Sequence, residues 1–153
     1  MQTLGRDSRG GAAGWTLVEI AIVISLLGLI AAAAVPGSAT LDRWALNRAA
    51  RMTERQMAAV RLRSVAERRT FRVRAPGAAA LETIDDSGRV VARLVLAGAG
   101  SRLIDSIRIR PGTIRYNPRG HGSAGSVYLY RNRRGIRVIS NFVGRIRRYS
   151  FRF

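Results

Sequence analysis

The chain has 153 residues, 27 of them arginine and none lysine, against 9 carboxylates, one histidine and no cysteine. That excludes disulfides and thiolate metal sites, and leaves room for one modest globular domain beside a membrane segment. A formal charge of +18 implies a polyanionic partner, an anionic membrane surface or acidic protein neighbours.

Residues 1–14 are short and polar, with Arg6 and Arg9 against Asp7. Positive charge just ahead of an apolar run favours a cytoplasmic N-terminus. From Ile20 to Val35 no residue is charged. Trp15 to Val35 is about twenty residues, enough to span a bilayer as a helix. One carboxylate, Glu19, stands at the start of this run. A charge at the centre of a membrane helix costs about 2.5–3.5 kcal/mol on insertion scales. Three readings compete: a secretory signal cut after Ala34 or Ala39, a plain signal anchor, or a processed assembly signal. Neither of the first two needs a buried carboxylate.

Gly14 followed by Trp15-Thr16-Leu17-Val18-Glu19 and a long apolar run resembles the class III signal of type IV pilins and type II secretion pseudopilins. The resemblance implies cleavage after Gly14 by a prepilin peptidase, N-methylation of Trp15, and a role for Glu19 in assembly. This chain has Trp15 where the family usually has phenylalanine or methionine. Cleavage would create an amine at Trp15, and a carboxylate four residues on lies about one helical turn away. The resemblance implies that Glu19 pairs with the amine of a neighbouring subunit. Such a pair offsets the desolvation each charge suffers in lipid. Pro36 either kinks one continuous helix, as in pilins, or ends the spanning helix.

From Ser38 to Arg69 there is no proline or glycine. Leu46, Ala50, Thr53, Met57, Val60 and Ser64 recur at three- and four-residue spacing, while Arg48, Arg51, Arg55, Arg61 and Arg63 occupy other faces. The simplest structure is one long helix, its first half in the bilayer and its second half packed on a sheet; two separate helices are the alternative. Trp44 reads as an interfacial anchor or as plain packing.

Beyond Arg69 short alternating runs between turn residues predict strands at Thr70–Arg74, Leu81–Ile84, Arg89–Leu96, Ser106–Arg110, Thr113–Tyr116, Ser126–Tyr130, Ile136–Ser140 and Arg145–Phe153. Asp85-Asp86-Ser87-Gly88 and Asn132-Arg133-Arg134-Gly135 are turn candidates. Pro76 to Ala80 and Ala97 to Ser101 read as loops. Val127 and Leu129 share one face, Tyr128 and Tyr130 the other. In the last run Ile146 and the aromatic residues Tyr149, Phe151 and Phe153 fall on opposite parities, which predicts a bulge or an end of regular pairing near Arg147-Arg148.

Ile114 to Gly120, a glycine-rich loop, Ser126 to Leu129, Arg137-Val138-Ile139 and Gly144-Arg145-Ile146-Arg147 follow one another in an order that resembles the C-terminal domain of the GspH/FimT group of minor pilins and pseudopilins. The similarity covers about residues 107–148. It implies an α+β fold in which one long helix packs on two antiparallel sheets. The boundaries expected are 1–14 for the leader, 15–36 for the transmembrane half, 37–69 for the periplasmic half of the helix and 70–153 for the β-rich domain.

Gly120-His121-Gly122-Ser123-Ala124-Gly125 fits a dinucleotide fingerprint, but a strand-like run follows where a helix must open. It reads as a hairpin loop. His121 has neither cysteine nor acidic neighbours for a metal site or a triad, so it reads as an exposed loop residue. Asp85 and Asp86 sit in a turn. No catalytic residue, metal site or cofactor is expected.

After Asp105 come twelve arginines and no carboxylate. In FimT-like minor pilins a Gly-Arg-x-Arg element near the C-terminus is implicated in binding DNA, and here the match falls on Gly144, Arg145 and Arg147. Arg145 and Arg147 would lie about 6.5–7 Å apart on one face of a strand, and arginine forks suit phosphate oxygens. Arg148, Arg134 and Arg137 would extend the patch, along with Arg131 and Arg133. Tyr149 and Phe151 are expected to pack in the core, with stacking on single-stranded bases the other role. The resemblance implies a minor pilin or pseudopilin of a type IV pilus or type II secretion pseudopilus. Its partners would be the prepilin peptidase, other pilins, the inner membrane and DNA, with the C-terminal domain periplasmic. The alternative is a secretion pseudopilin without a nucleic-acid role, whose arginine patch docks filament neighbours.

Overall fold

The computed structural model describes residues 15–34, 37–98 and 101–152. It divides into two units, residues 1–36 and 37–153. The first contains helix α1, Leu17–Ala34. The second contains helix α2, Ser38–Ala66, and all of the described strands. The single helix expected from 15 to 69 is therefore two helical segments. Gly37, just ahead of α2, is extended at φ −55° and ψ 145°, and Pro36 lies outside the described residues.

α2 forms because nothing in it breaks a helix and its apolar stripe has a sheet to cover it. Leu46, Ala50, Thr53, Met57, Val60 and Ser64 are all buried, as the spacing predicts. Its C-terminus closes with a Schellman motif. Arg68 turns left-handed at φ 51°, its N–H reaches the Val65 carbonyl at 3.3 Å, and the Arg69 N–H reaches Ser64 at 3.2 Å.

The strands are β1 (Phe71–Gly77), β2 (Ala80–Ile84), β3 (Val90–Val95), β4 (Ala97–Gly98), β5 (Ser101–Arg102), β6 (Ser106–Arg110), β7 (Thr113–Tyr116), β8 (Gly125–Arg131), β9 (Arg134–Ser140) and β10 (Ile146–Arg152). They build two four-stranded sheets, ordered β3-β2-β1-β7 and β10-β9-β8-β6, and a ribbon of β4 with β5. Every pairing is antiparallel. The core joins Leu46, Met57 and Val60 of α2 to Phe71, Val73, Ile107, Val127 and Val138 of the two sheets.

Four expectations need correction. The run from Gly120 to Gly125 is not a hairpin loop, because β7 pairs with β1 and β8 pairs with β6 and β9; it carries the chain from one sheet to the other. β1 and β2 extend into the stretch from Pro76 to Ala80, and the stretch from Ala97 to Ser101 includes strand residues of the β4–β5 ribbon. The β8–β9 turn is two residues, Asn132-Arg133, with Arg131 opposite Arg134 and Asn132 left-handed at φ 50°, so Gly135 belongs to a strand. No bulge interrupts β10: Ile146 to Arg152 pair with Ser140 to Arg134 without a break.

Candidate functional site

Apart from Glu19 and Ser25, α1 is apolar on every side, and all its described side chains through Ala33 are exposed. Among the described residues no helix is long and apolar enough to cross a membrane; the 18 residues of α1 rise about 27 Å at 1.5 Å each. Its N-terminus is a capping box. The Thr16 N–H and hydroxyl both donate to Glu19 Oε2, at 2.9 and 3.0 Å, and the Glu19 N–H donates to Thr16 Oγ1 at 3.2 Å. The two side chains thus satisfy two backbone donors of the helix start, the Thr16 N–H and the Glu19 N–H. Trp15 is exposed just ahead of it, and Gly14, the expected cleavage position, lies outside the described residues.

The six residues expected to form one arginine patch do not lie together. Gly144 is buried in a left-handed turn at φ 76°, and a Cβ there would come within 2.6 Å of Arg61 Nε and 2.7 Å of the Gly120 carbonyl. Arg61 holds that junction by donating from Nε to Gly120 O at 2.9 Å. Arg148 pairs across from Val138, on the helix side, and its Nε is 3.9 Å from Glu54 of α2. Arg134 donates to the Ala39 carbonyl at 3.0 Å. Arg145 is exposed in the loop before β10; its N–H donates to Asn141 Oδ1 at 2.8 Å.

Arg137 and Arg147 point the other way, onto the outer face of the second sheet. The register makes three rows there: Ser106–Tyr130–Gly135–Phe151, Arg108–Tyr128–Arg137–Tyr149 and Arg110–Ser126–Ile139–Arg147. Twelve positions carry four arginines, three tyrosines and a phenylalanine, with no carboxylate. Tyr128 and Tyr130 run parallel at 6.3 Å, and the Phe151 ring stands edge-on to both, at 6.3 and 6.0 Å. Arg137 lies over the Tyr128 ring at 5.4 Å and donates to Ser126 Oγ at 3.0 Å. Tyr149 and Phe151 therefore leave the core, contrary to expectation. Phe151 fits outside because its partner is Gly135, where a Cβ would meet the ring at 2.3 Å.

A clamp ties the β8–β9 turn to the start of α2. Arg131 Nε is 2.6 Å from Asp42 Oδ1, Asn132 Nδ2 donates to Asp42 Oδ2, and the Asn132 N–H donates to Asp105 at 2.6 Å. The Arg131 and Asn132 hydrogen bonds hold the Asp42 carboxyl below its ordinary value.

No family model and no curated protein sequence matches the chain significantly. Solved structures do. The type IV minor pilin FimU of Pseudomonas aeruginosa superposes with a TM-score of 0.55 at 16% identity, over 69% of this chain and 88% of that one. The minor pseudopilin EpsH from the Type 2 Secretion System of Vibrio cholerae gives 0.55 at 11% identity, over 69% of this chain and 96% of that one. This chain has the minor pilin and pseudopilin fold.

Within that pilin fold, the two features of the site that the sequence expectations omit have signals of their own. Thr16-x-x-Glu19 ahead of an apolar run is the pattern of a capping box. The outer-face rows follow from the two-residue Asn132-Arg133 turn, since that turn fixes which residue faces which across β8 and β9. His121 lies in the exposed crossing loop, its N–H bound to Asn117 Oδ1 at 3.0 Å. Among the described residues no three of His, Cys, Asp and Glu gather in a way that could hold a metal.

Proposed function

We propose that the chain is a minor subunit of a type IV pilus or a type II secretion pseudopilus, with a structural rather than an enzymatic role. The observation that carries this is the joining of a minor pilin fold to a largely apolar, exposed helix whose one charge is Glu19. In this reading residues 15–36 insert in the inner membrane with the N-terminus cytoplasmic. A prepilin peptidase cuts after Gly14, Trp15 is methylated, and the domain from Gly37 is periplasmic. Transfer to a filament exchanges Thr16 for the amine of a neighbouring subunit as a partner of Glu19. Mass spectrometry of the membrane-extracted protein tests it: methylated Trp15 at the mature N-terminus is expected, and an intact leader or a start beyond Ala34 contradicts it.

A second reading, contact with DNA, draws support from the acid-free outer face of β6, β8, β9 and β10. Its arginines suit phosphates and its rings suit unstacked bases. Of the six residues first singled out, Arg137 and Arg147 take part, with Arg108 and Arg110 beside them. For about four phosphate contacts on single-stranded DNA, log affinity of the Gly37–Phe153 unit falls against log salt with a slope near −3. Replacing Arg108, Arg137 and Arg147 by Gln brings that slope to about −1; an unchanged slope moves the contact elsewhere.

A further inference from the structure

α2 sorts its charges by face. Asp42 and Glu54 turn to the sheet, where Arg131 and Arg148 meet them. The opposite side carries Trp44, Arg48, Arg51 and Arg55, all exposed and spaced three and four residues apart. Arg43 joins them along one shallow groove. The Arg48 guanidinium lies 5.4 Å over the Trp44 ring. Among the described residues no carboxylate pairs with any of these four arginines. Trp44 keeps 60% of its surface in water, although nothing in the packing of α2 requires a large ring there.

We propose that this face of α2 rests on an anionic lipid surface, with Trp44 at headgroup level and Arg48, Arg51 and Arg55 on lipid phosphates, while the subunit waits to enter a filament. The proposal builds on the reading that residues 15–36 enter a bilayer. Three observations select lipid over another anion. Tryptophan favours the membrane–water interface, where its ring meets acyl chains and its N–H meets headgroups. Arginines with long stems keep their charge at the phosphates while the stems cover apolar surface. Trp44 also follows the apolar helix by only ten residues, which tethers this face at high local concentration to any bilayer that α1 occupies. A second copy of the chain is disfavoured by its own charge of +18.

The Gly37–Phe153 unit suffices for the test, since it carries the whole hydrophobic core, and Trp44 is its one tryptophan. Titration with vesicles of phosphatidylglycerol and phosphatidylcholine is expected to shift Trp44 emission to the blue, reversibly with salt, and phosphatidylcholine alone is expected to leave it unchanged. At about fivefold per arginine, R48Q/R51Q/R55Q lowers vesicle affinity about a hundredfold. The control R68Q/R115Q/R119Q removes the same charge from exposed sites elsewhere and lowers it far less. Circular dichroism verifies that both variants fold. Equal losses in the two triples mean that net charge alone binds, and overturn the proposal. So does binding with unshifted Trp44 emission, or no binding at low salt, the outcome for a face built for an acidic protein. Since the unit lacks residues 15–36, its result stands apart from the membrane-span reading, which fractionation of the full chain decides.

Discussion

At the residue scale, two glycines show how the fold uses missing side chains differently. Gly144 is left-handed at φ 76° and wedged against Arg61 and the Gly120 carbonyl. Gly88, in the β2–β3 turn, is also left-handed, at φ 86°, but faces open space. Alanine at either position meets backbone strain of about 1 kcal/mol. At 144 it also displaces Arg61 from its hydrogen bond and crowds a carbonyl that cannot retreat. We expect Gly144→Ala to cost about 2–4 kcal/mol in chemical denaturation and Gly88→Ala about 1 kcal/mol. Equal costs for the two would mean that the Arg61 junction contributes nothing. Gly144 thus serves the fold, by letting the β9–β10 connection close on α2. Its place beside two arginines in the sequence carries the look of a binding motif, but its chemistry is that of a packing site.

At the scale of elements, the join between α2 and the β8–β9 turn rests on Asp42. Its carboxyl is held below the ordinary 3.8 by hydrogen bonds from Arg131 and Asn132. A carboxyl with a depressed folded pKa contributes stability that is full above its unfolded pKa and lost as the pH falls through the folded value. Asp42→Asn should therefore cost about 1–2 kcal/mol at pH 7, and the gap to the parent should begin to narrow as the pH falls below about 4 and close only once it is below the depressed folded value. A gap that persists into acid would show that shape, not charge, makes the join. The element pattern was largely legible in the sequence. The α2 stripe is read residue for residue, and β6 and β7 fall where alternation places them, because local periodicity reports a buried face directly. Two things escaped. The β7–β8 connection changes sheets, and sheet membership is a long-range choice that no local pattern encodes. The outward placement of Tyr149 and Phe151 escaped because apolar residues on a strand normally mark the core side; here Gly135, sixteen residues before Phe151, provides the space that lets that ring lie outside. The candidate site was half legible for related reasons. Glu19 and its apolar run are contiguous, whereas an arginine patch depends on which way each side chain of β9 and β10 turns.

At the scale of the whole molecule, charge is the dominant unbalanced quantity. Arg6 and Arg9 cancel Asp7 and Glu19, so the unit from Gly37 carries the full formal +18. Its carboxylates are already engaged: Asp42 with Arg131, Glu54 with Arg148, Glu67 with Arg63, Glu82 with Arg74, Asp85 and Asp86 with Arg69, and Asp105 with the Asn132 N–H. The remaining arginines repel one another across a small surface, and folding brings them closer than the unfolded chain does. Salt acts on both sides of this balance. It weakens the ion pairs, most of them partly exposed and worth about 0–1 kcal/mol each. It also screens the repulsion, which sums over many more pairs within about 10 Å at 0.1 M. Repulsion should prevail. Raising sodium chloride from about 0.01 to 0.15 M is expected to raise the thermal midpoint of the Gly37–Phe153 unit by several degrees. A midpoint that falls over this range would mean that the ion pairs outweigh the excess charge, and that the arginine surfaces need no anion to be stable. A rise would mean that the excess arginine charge destabilises the folded unit, a cost that any anion neutralising it would relieve.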